Sequence, residues 1–341
     1  MIALKKIIIN LFLTILSLSA VFLCIEFFLK YHYPQDLSGS WRIRNESGLI
    51  TNKNKGESKH SWGGGELNVR YLFGEYYNRI YQNLLVDYRN EKILILGDSF
   101  TFGWLLNDED TFVYQLQKKF NNKLFINAAV GGWGTADHLK YTELYCKKIN
   151  PKEVWVFLNN NDIQRSINSN LYTIDNNDEL IKLNSQVSIN QKIKFFLNSF
   201  FLYQWLLENF HSIQLIRNVL IKIPDSKITF AKTRNSTHDP NFLAKKLFIK
   251  LKKETKLCNS DLKIFYLGWP EWHNDNKILN FIKLANKENF FYNNNINFFN
   301  LGHTNYMIDV NKNKNYHKLK EGHPNKLGNK KIFFAILSIL K

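Results

Sequence analysis

The chain has 341 residues, of which 45% are hydrophobic, so it is long and apolar enough for one large core and is not a disordered polymer. Its formal charge is +17, but the basic residues are mostly lysines scattered among asparagines and isoleucines. No arginine-rich stripe alternates with aromatics, so nucleic acid is not an expected partner. Three cysteines without a CxxC pair exclude a disulfide framework and a thiolate metal site; Cys24 lies in an apolar run, which leaves Cys146 and Cys258 as the pair an oxidising compartment would join.

Lys5 and Lys6 precede a stretch from Ile7 to Leu29 that is apolar except for Asn10, Glu26 and a few small hydroxyl residues, a length that spans a bilayer. Ser17, Ser19 and Ala20 offer a signal-peptide cleavage site as the alternative. The apolar run continues through Phe22, Phe27 and Phe28, so an uncleaved anchor over residues 1–30 is expected. Phe22 and Leu23 stand where a lipoprotein Cys24 would want small residues. Positive charge before the span puts the N-terminus in the cytoplasm and the rest outside a bacterial inner membrane, although Lys30, Arg42 and Arg44 blur the asymmetry.

Residues 31–90 show no sustained periodicity; the turn-rich Lys53 to Gly65 and the aromatic stretch Tyr71 to Tyr81 suggest a stalk that wraps onto the main domain. From Glu91 onward short β-type runs alternate with helix-type segments, which predicts an α/β domain over 91–341 with a mostly parallel sheet. Ile93 to Leu96 reads as a central strand covered on both faces, followed by a helix over Thr111 to Phe120. Further strands are expected at Leu124 to Ile126, Val154 to Leu158, Ile264 to Leu267 and Ile296 to Phe299, and a closing helix at Lys331 to Leu340. Between the third and fourth strands, about 165–255 is too long for a connection; Ile193 to Ile223 is helical by composition and dense in Phe, Leu, Ile and Trp, which predicts a helical insertion.

In open parallel sheets ligands bind beyond the C-terminal strand ends, so the loops after each strand are where chemistry is sought. After the first strand comes Gly97-Asp98-Ser99-Phe100-Thr101-Phe102-Gly103, after the second Asn127 to Gly134, after the third Asn159-Asn160-Asn161-Asp162, and near the C-terminus Glu321-Gly322-His323-Pro324-Asn325. A serine at a strand-to-helix turn supplies a hydroxyl and a backbone N–H, a glycine turn points a second N–H without a Cβ in the way, an asparagine side chain adds a third donor, and a histidine supplies the base. A capping serine and simple turn residues are the bland readings of Ser99, Asn161 and Asp162 taken singly.

Together, GDSxxxG, a glycine block, an Asn-Asp block and a late His-Pro-Asn followed by Gly328 resemble the SGNH (GDSL-type) hydrolases, in particular their bacterial membrane-tethered members. The resemblance implies a three-layer, flavodoxin-like fold with a central parallel sheet of about five strands. It further implies Ser99 as nucleophile, the Ser99 amide, Gly132 and Asn161 as oxyanion donors, and His323 as base. Two positions depart from the family pattern. Asn159 stands where a glycine is usual, and Lys320 stands where the acid three residues before the histidine is usual, which leaves Glu321 as the nearby candidate for the third member. Trp133, Trp269 and Trp272 are candidates to stack on a sugar. His273, His303, His317 and Asp309 are not at ligand spacings, so neither a metal nor a cofactor is expected. The expected activity is removal of acyl groups from a small molecule or an envelope or exported polysaccharide. Transfer of the acyl group to a glycan, or glycan binding without catalysis, are the alternatives.

Overall fold

The computed structural model describes residues 2–340 apart from 83, 85–86, 88–89, 160, 184–192, 194–195, 199, 223–238, 269–276, 308–312 and 318–321. Its first element, α1 (Ile2–His32), is an apolar helix; Leu4–His32 spans 29 residues, contains an 18-residue stretch with a mean hydropathy of 2.5, and suffices in length and composition to cross a membrane.

Residues 31–90, read from the sequence as a stalk that wraps onto the main domain, contain β structure. A short pair, β1 (Ile43–Arg44) and β2 (Ile50–Thr51), precedes an antiparallel hairpin of β3 (Gly56–Trp62) and β4 (Leu67–Phe73), and β5 (Arg79–Ile80) joins β4 to the main sheet. Along β4, Val69, Tyr71 and Phe73 point inward and their neighbours outward, the period-two pattern of a half-buried strand.

The parallel strands follow as expected: β6 (Glu91–Leu96), β7 (Lys123–Asn127), β8 (Glu153–Leu158), β11 (Asp261–Tyr266) and β12 (Asn297–Asn300). The sheet has eight strands in the order β12-β11-β8-β6-β7-β5-β4-β3; the first five are parallel, and the N-terminal strands add an antiparallel extension through the pairing of β5 with β7. Successive side chains serve opposite faces. Leu94, Leu96, Val154, Val156 and Leu158 join one core with α4 (Thr135–Ile149), while Ile93, Ile95, Trp155 and Phe157 join the other with α3 (Phe112–Lys119). This is the expected three-layer α/β architecture.

The region between β8 and β11 departs from a single helical insertion. After α5 (Asp162–Ser169) it opens with a hairpin, β9 (Tyr172–Ile174) and β10 (Leu180–Lys182). The apolar helix breaks in two at Phe210, whose backbone is extended, giving α6 (Phe201–Asn209) and α7 (His211–Lys222). The next helix, α8 (Pro240–Leu257), belongs to the main body: Leu243, Leu247, Phe248 and Leu251 pack on the α4 face of the sheet. Cys146 at the end of α4 and Cys258 just after α8 form a disulfide across a sequence separation of 112, and restricting the unfolded chain by a loop of this size contributes about 4.7 kcal/mol in the chain-entropy account.

Beyond α9 (Lys277–Lys287) and α10 (Phe290–Asn293), the last helix, α11 (Lys326–Ile339), starts five residues earlier than its hydrophobic pattern indicates. Asn325 explains the early start, because its Oδ1 accepts from the amides of Leu327 and Gly328 and so caps the helix. Ile332, Ala335 and Ile336 seat α11 beside α3.

Candidate active site

The strand order reverses at β6, which has β7 on one side and β8 on the other, so the crevice above β6 and β8 is the switch point where ligands bind in such sheets. Ser99 opens the one-turn helix α2 (Ser99–Phe102) directly after β6. The turn is tight: a Cβ on Gly97 would stand 2.2 Å from the Thr101 hydroxyl, so no other residue fits there. Asp98 caps α2 through Oδ1, which accepts from the Phe100 amide at 2.9 Å.

His323 arrives from the far end of the chain and places Nε2 2.8 Å from Ser99 Oγ. Its loop is pinned on both sides. The His317 amide donates to the His323 carbonyl at 3.2 Å, the Asn325 amide to the Asn315 carbonyl at 3.0 Å, and the Asn325 side chain to the carbonyls of Lys314 and Tyr316. The imidazole lies between the rings of Trp104 (4.3 Å between centroids) and Phe100 (5.1 Å). Glu321 lies outside the described residues.

The glycine block forms the adjoining wall. Gly131 packs on Ser99, where a Cβ would be 3.5 Å from Ser99 Cβ, and Gly132 has φ +87°, a left-handed conformation that favours glycine. Asn161 precedes α5 at the same end of the sheet but does not line the cleft that contains Ser99, Gly131, Gly132 and His323. Trp133 is not placed to stack on a ligand. It is 1% exposed, donates its indole N–H to the Ile50 carbonyl and packs against Tyr141, so it is a core residue. Trp269 and Trp272 lie outside the described residues.

Behind the serine, the Asp98 carboxylate is fully buried; its Oδ2 accepts from Arg165 Nη1 at 2.5 Å and from Asn159 Nδ2 at 3.1 Å. Burial pushes the Asp98 carboxyl up, but Arg165, Asn159 and the Phe100 amide outweigh it and hold the group below its ordinary value. Asn159, the departure from a glycine, thus ties the third loop to the first. Asp162, buried and next to Asp98, is pushed well above the carboxylate range by desolvation and by that neighbour, and burial lifts Asp137 to about 7.

Several features escaped the sequence reading. The cleft, of about 710 Å³, has one wall made by the N-terminal segment, including Trp41, His60 and Trp62, and it also exposes Arg42, Arg44, Arg165 and Arg217. Arg79, wholly buried, donates to the carbonyls of Phe102, Gly103 and Leu106 and pairs with Asp108 at 2.8 Å, fixing the loop that follows α2.

The fold and this constellation define a three-layer α/β protein with a serine and a histidine paired at its switch point. No family model and no curated protein matches the chain. Among solved structures it is similar to TesA (11% identity, TM-score 0.44, covering 74% of this chain and 98% of that one). It is also similar to the psychrotrophic esterase EstA from Pseudoalteromonas sp. (15% identity, TM-score 0.43, 74% and 97%) and to a family 3 carbohydrate esterase from Clostridium thermocellum (12% identity, TM-score 0.38, 73% and 94%).

Proposed function

We propose that this protein is a membrane-anchored serine esterase that removes acyl groups from a carbohydrate on the outer side of a bacterial inner membrane. The observation that carries the reading is the 2.8 Å contact between Ser99 Oγ and His323 Nε2 beside the Gly131-Gly132 wall. His323 takes the hydroxyl proton as Ser99 Oγ attacks the ester carbonyl, and the same proton passes to the departing alcohol. The amides of Ser99 and Gly132 hold the oxyanion, and water then releases the acyl group from Ser99.

Labelling of the full chain by a fluorophosphonate, lost in Ser99→Ala, tests the nucleophile. Product analysis with a sugar acceptor present separates hydrolysis from acyl transfer. Asn161, at the same end of the sheet but outside the cleft lining, acts as the third oxyanion donor in this reading by turning its side chain toward the bound ester, so Asn161→Ala should lower kcat by about 10²–10³-fold. Full activity would leave the two backbone amides as the whole oxyanion site.

The anchor and the helical insertion support a membrane location. Both carboxylate oxygens of Glu26, on α1, accept backbone amides at the start of α7, from His211 and from Ser212, and Phe22 meets Phe210 at 5.3 Å between ring centroids. Against this junction α6 and α7 leave Phe201, Leu202, Ile216 and Leu220 exposed, an apolar surface continuous with the anchor that rests in the bilayer interface. The Cys146–Cys258 disulfide suits an oxidising compartment. An environment-sensitive dye on Phe201→Cys should shift to the blue in proteoliposomes, whereas the same dye on Ile181→Cys, in the β9–β10 hairpin, should not. Equal spectra at the two positions would remove α6 and α7 from the membrane.

A further inference from the structure

The cleft around Ser99 is lined by four arginines and, among the described residues, by no carboxylate. Arg165 is matched by Asp98 behind it. Arg42, Arg44 and Arg217 have no carboxylate within ion-pair distance among the described residues. Arg44 donates to the Gly48 carbonyl at 2.7 Å, and among the described residues Arg217 donates only to the Ser38 carbonyl and the Gln214 side chain. Arg42 is the most open of them, and its Nη2 lies 3.2 Å from where a Cβ on Gly132 would stand, which brings a guanidinium directly beside the proposed oxyanion turn.

Holding these cations together is unfavourable in the absence of an anion. Although Arg42 is open to the cleft, the protein around it displaces enough water to push its guanidinium below its ordinary range, with Arg165 adding to the effect, and burial does the same to Arg217 and Arg44. The neighbouring carboxyls only partly redress the balance: Asp137, which attracts Arg42 and Arg44, is itself lifted to about 7 by burial, Asp162 is pushed toward its neutral form, and Asp98 is already paired with Arg165. A guanidinium presents a planar fork that fits the paired oxygens of a carboxylate or phosphate, and the half-desolvated cleft strengthens that contact relative to water. Trp62 and Trp104, in edge contact at 5.1 Å, also line the cleft and offer apolar faces for a sugar ring to rest on.

We propose that the substrate is an acylated saccharide that carries an oxyanion, carboxylate or phosphate, close to its ester, and that Arg42 and Arg217 bind this group while the carbonyl lies between Ser99 and Gly132. The proposal rests on the esterase reading and names the substrate class of that same site.

Matched esters test it: an acetylated methyl glucoside, the same ester with its primary alcohol oxidised to a carboxylate, and the same ester phosphorylated there. The full chain should turn over at least one anionic ester with a kcat/KM about 10–100-fold above the neutral one, mainly through KM, the size expected of one or two charge-assisted hydrogen bonds. The larger ratio of the two anions identifies the oxyanion. The anionic-to-neutral ratio should fall about tenfold or more in Arg42→Ala and in Arg217→Ala.

A ratio of one in the wild type overturns the proposal. So does a ratio unmoved in both variants; equal loss on both substrates in Arg42→Ala would instead make Arg42 part of the oxyanion site. If no ester is hydrolysed, the esterase reading fails separately, and calorimetric titration of the free sugar acid and sugar phosphate into Ser99→Ala protein decides the anion site alone. Binding lost on the further change Arg42→Ala supports the site, and no binding removes it.

Discussion

Replacing Ser99 or His323 by alanine should lower ester hydrolysis by about 10⁴-fold or more, with the double variant no worse than either single one, because a nucleophile and its base act as a unit. The geometry demands this coupling. Ser99 Oγ has His323 Nε2 at 2.8 Å, while the loop carrying His323 is fixed by backbone bonds to residues 315–317 and leaves the ring little freedom to serve another hydroxyl. Steady-state kinetics on a small acetate ester reads the effect. If Ser99→Ala keeps more than about a hundredth of the wild-type kcat/KM, the hydrolysis runs through another group and the assignment is lost.

Asp98→Ala should destabilise the protein by about 3 kcal/mol, the lower end of the cost of breaking a buried pair, since the Arg165 side chain it strands retains some access to solvent. Three contacts go at once: the cap on α2, the bond from Asn159 and the pair with Arg165. Urea unfolding in detergent measures the loss, and an unchanged midpoint would show that α2, the third loop and α5 are not held together through this carboxylate. Asp98→Asn keeps a capping oxygen and should cost less. The pH dependence has a definite sign. Because the folded carboxyl is held below its ordinary value, its contribution is fully present above that value and is lost as the pH falls through the depressed one.

The five parallel strands were legible because each is a short apolar run that serves two cores, and the serine, glycine and histidine loops were legible because each follows a strand end or caps a helix. The N-terminal strands were not. In β3 the buried positions are Ser58, His60 and Ser61, polar residues that carry no hydrophobic alternation and hydrogen-bond to partners off the strand: Ser58 to Glu208, His60 Nδ1 to Ser38 and Ser61 to Asn68. Ile193 to Ile223 was legible as helical from its composition, but composition does not register the extended backbone of Phe210 that separates α6 from α7. Arg42, just before β1, and Arg44, on it, read in the sequence only as a disturbance of charge asymmetry; it takes the fold to bring them to Ser99 together with Arg217 from α7.

The serine and its histidine stand 224 positions apart, and the docking of α11 is what brings them together. Domains form from the N-terminus as a chain is made, so for most of synthesis Ser99 is an ordinary alcohol on an early strand end, with no base to deprotonate it. On the esterase reading, reactivity appears only when the final turn of folding seats α11. A nascent or stalled chain is then hydrolytically silent toward the esters of the cell that makes it, without an inhibitor or a propeptide.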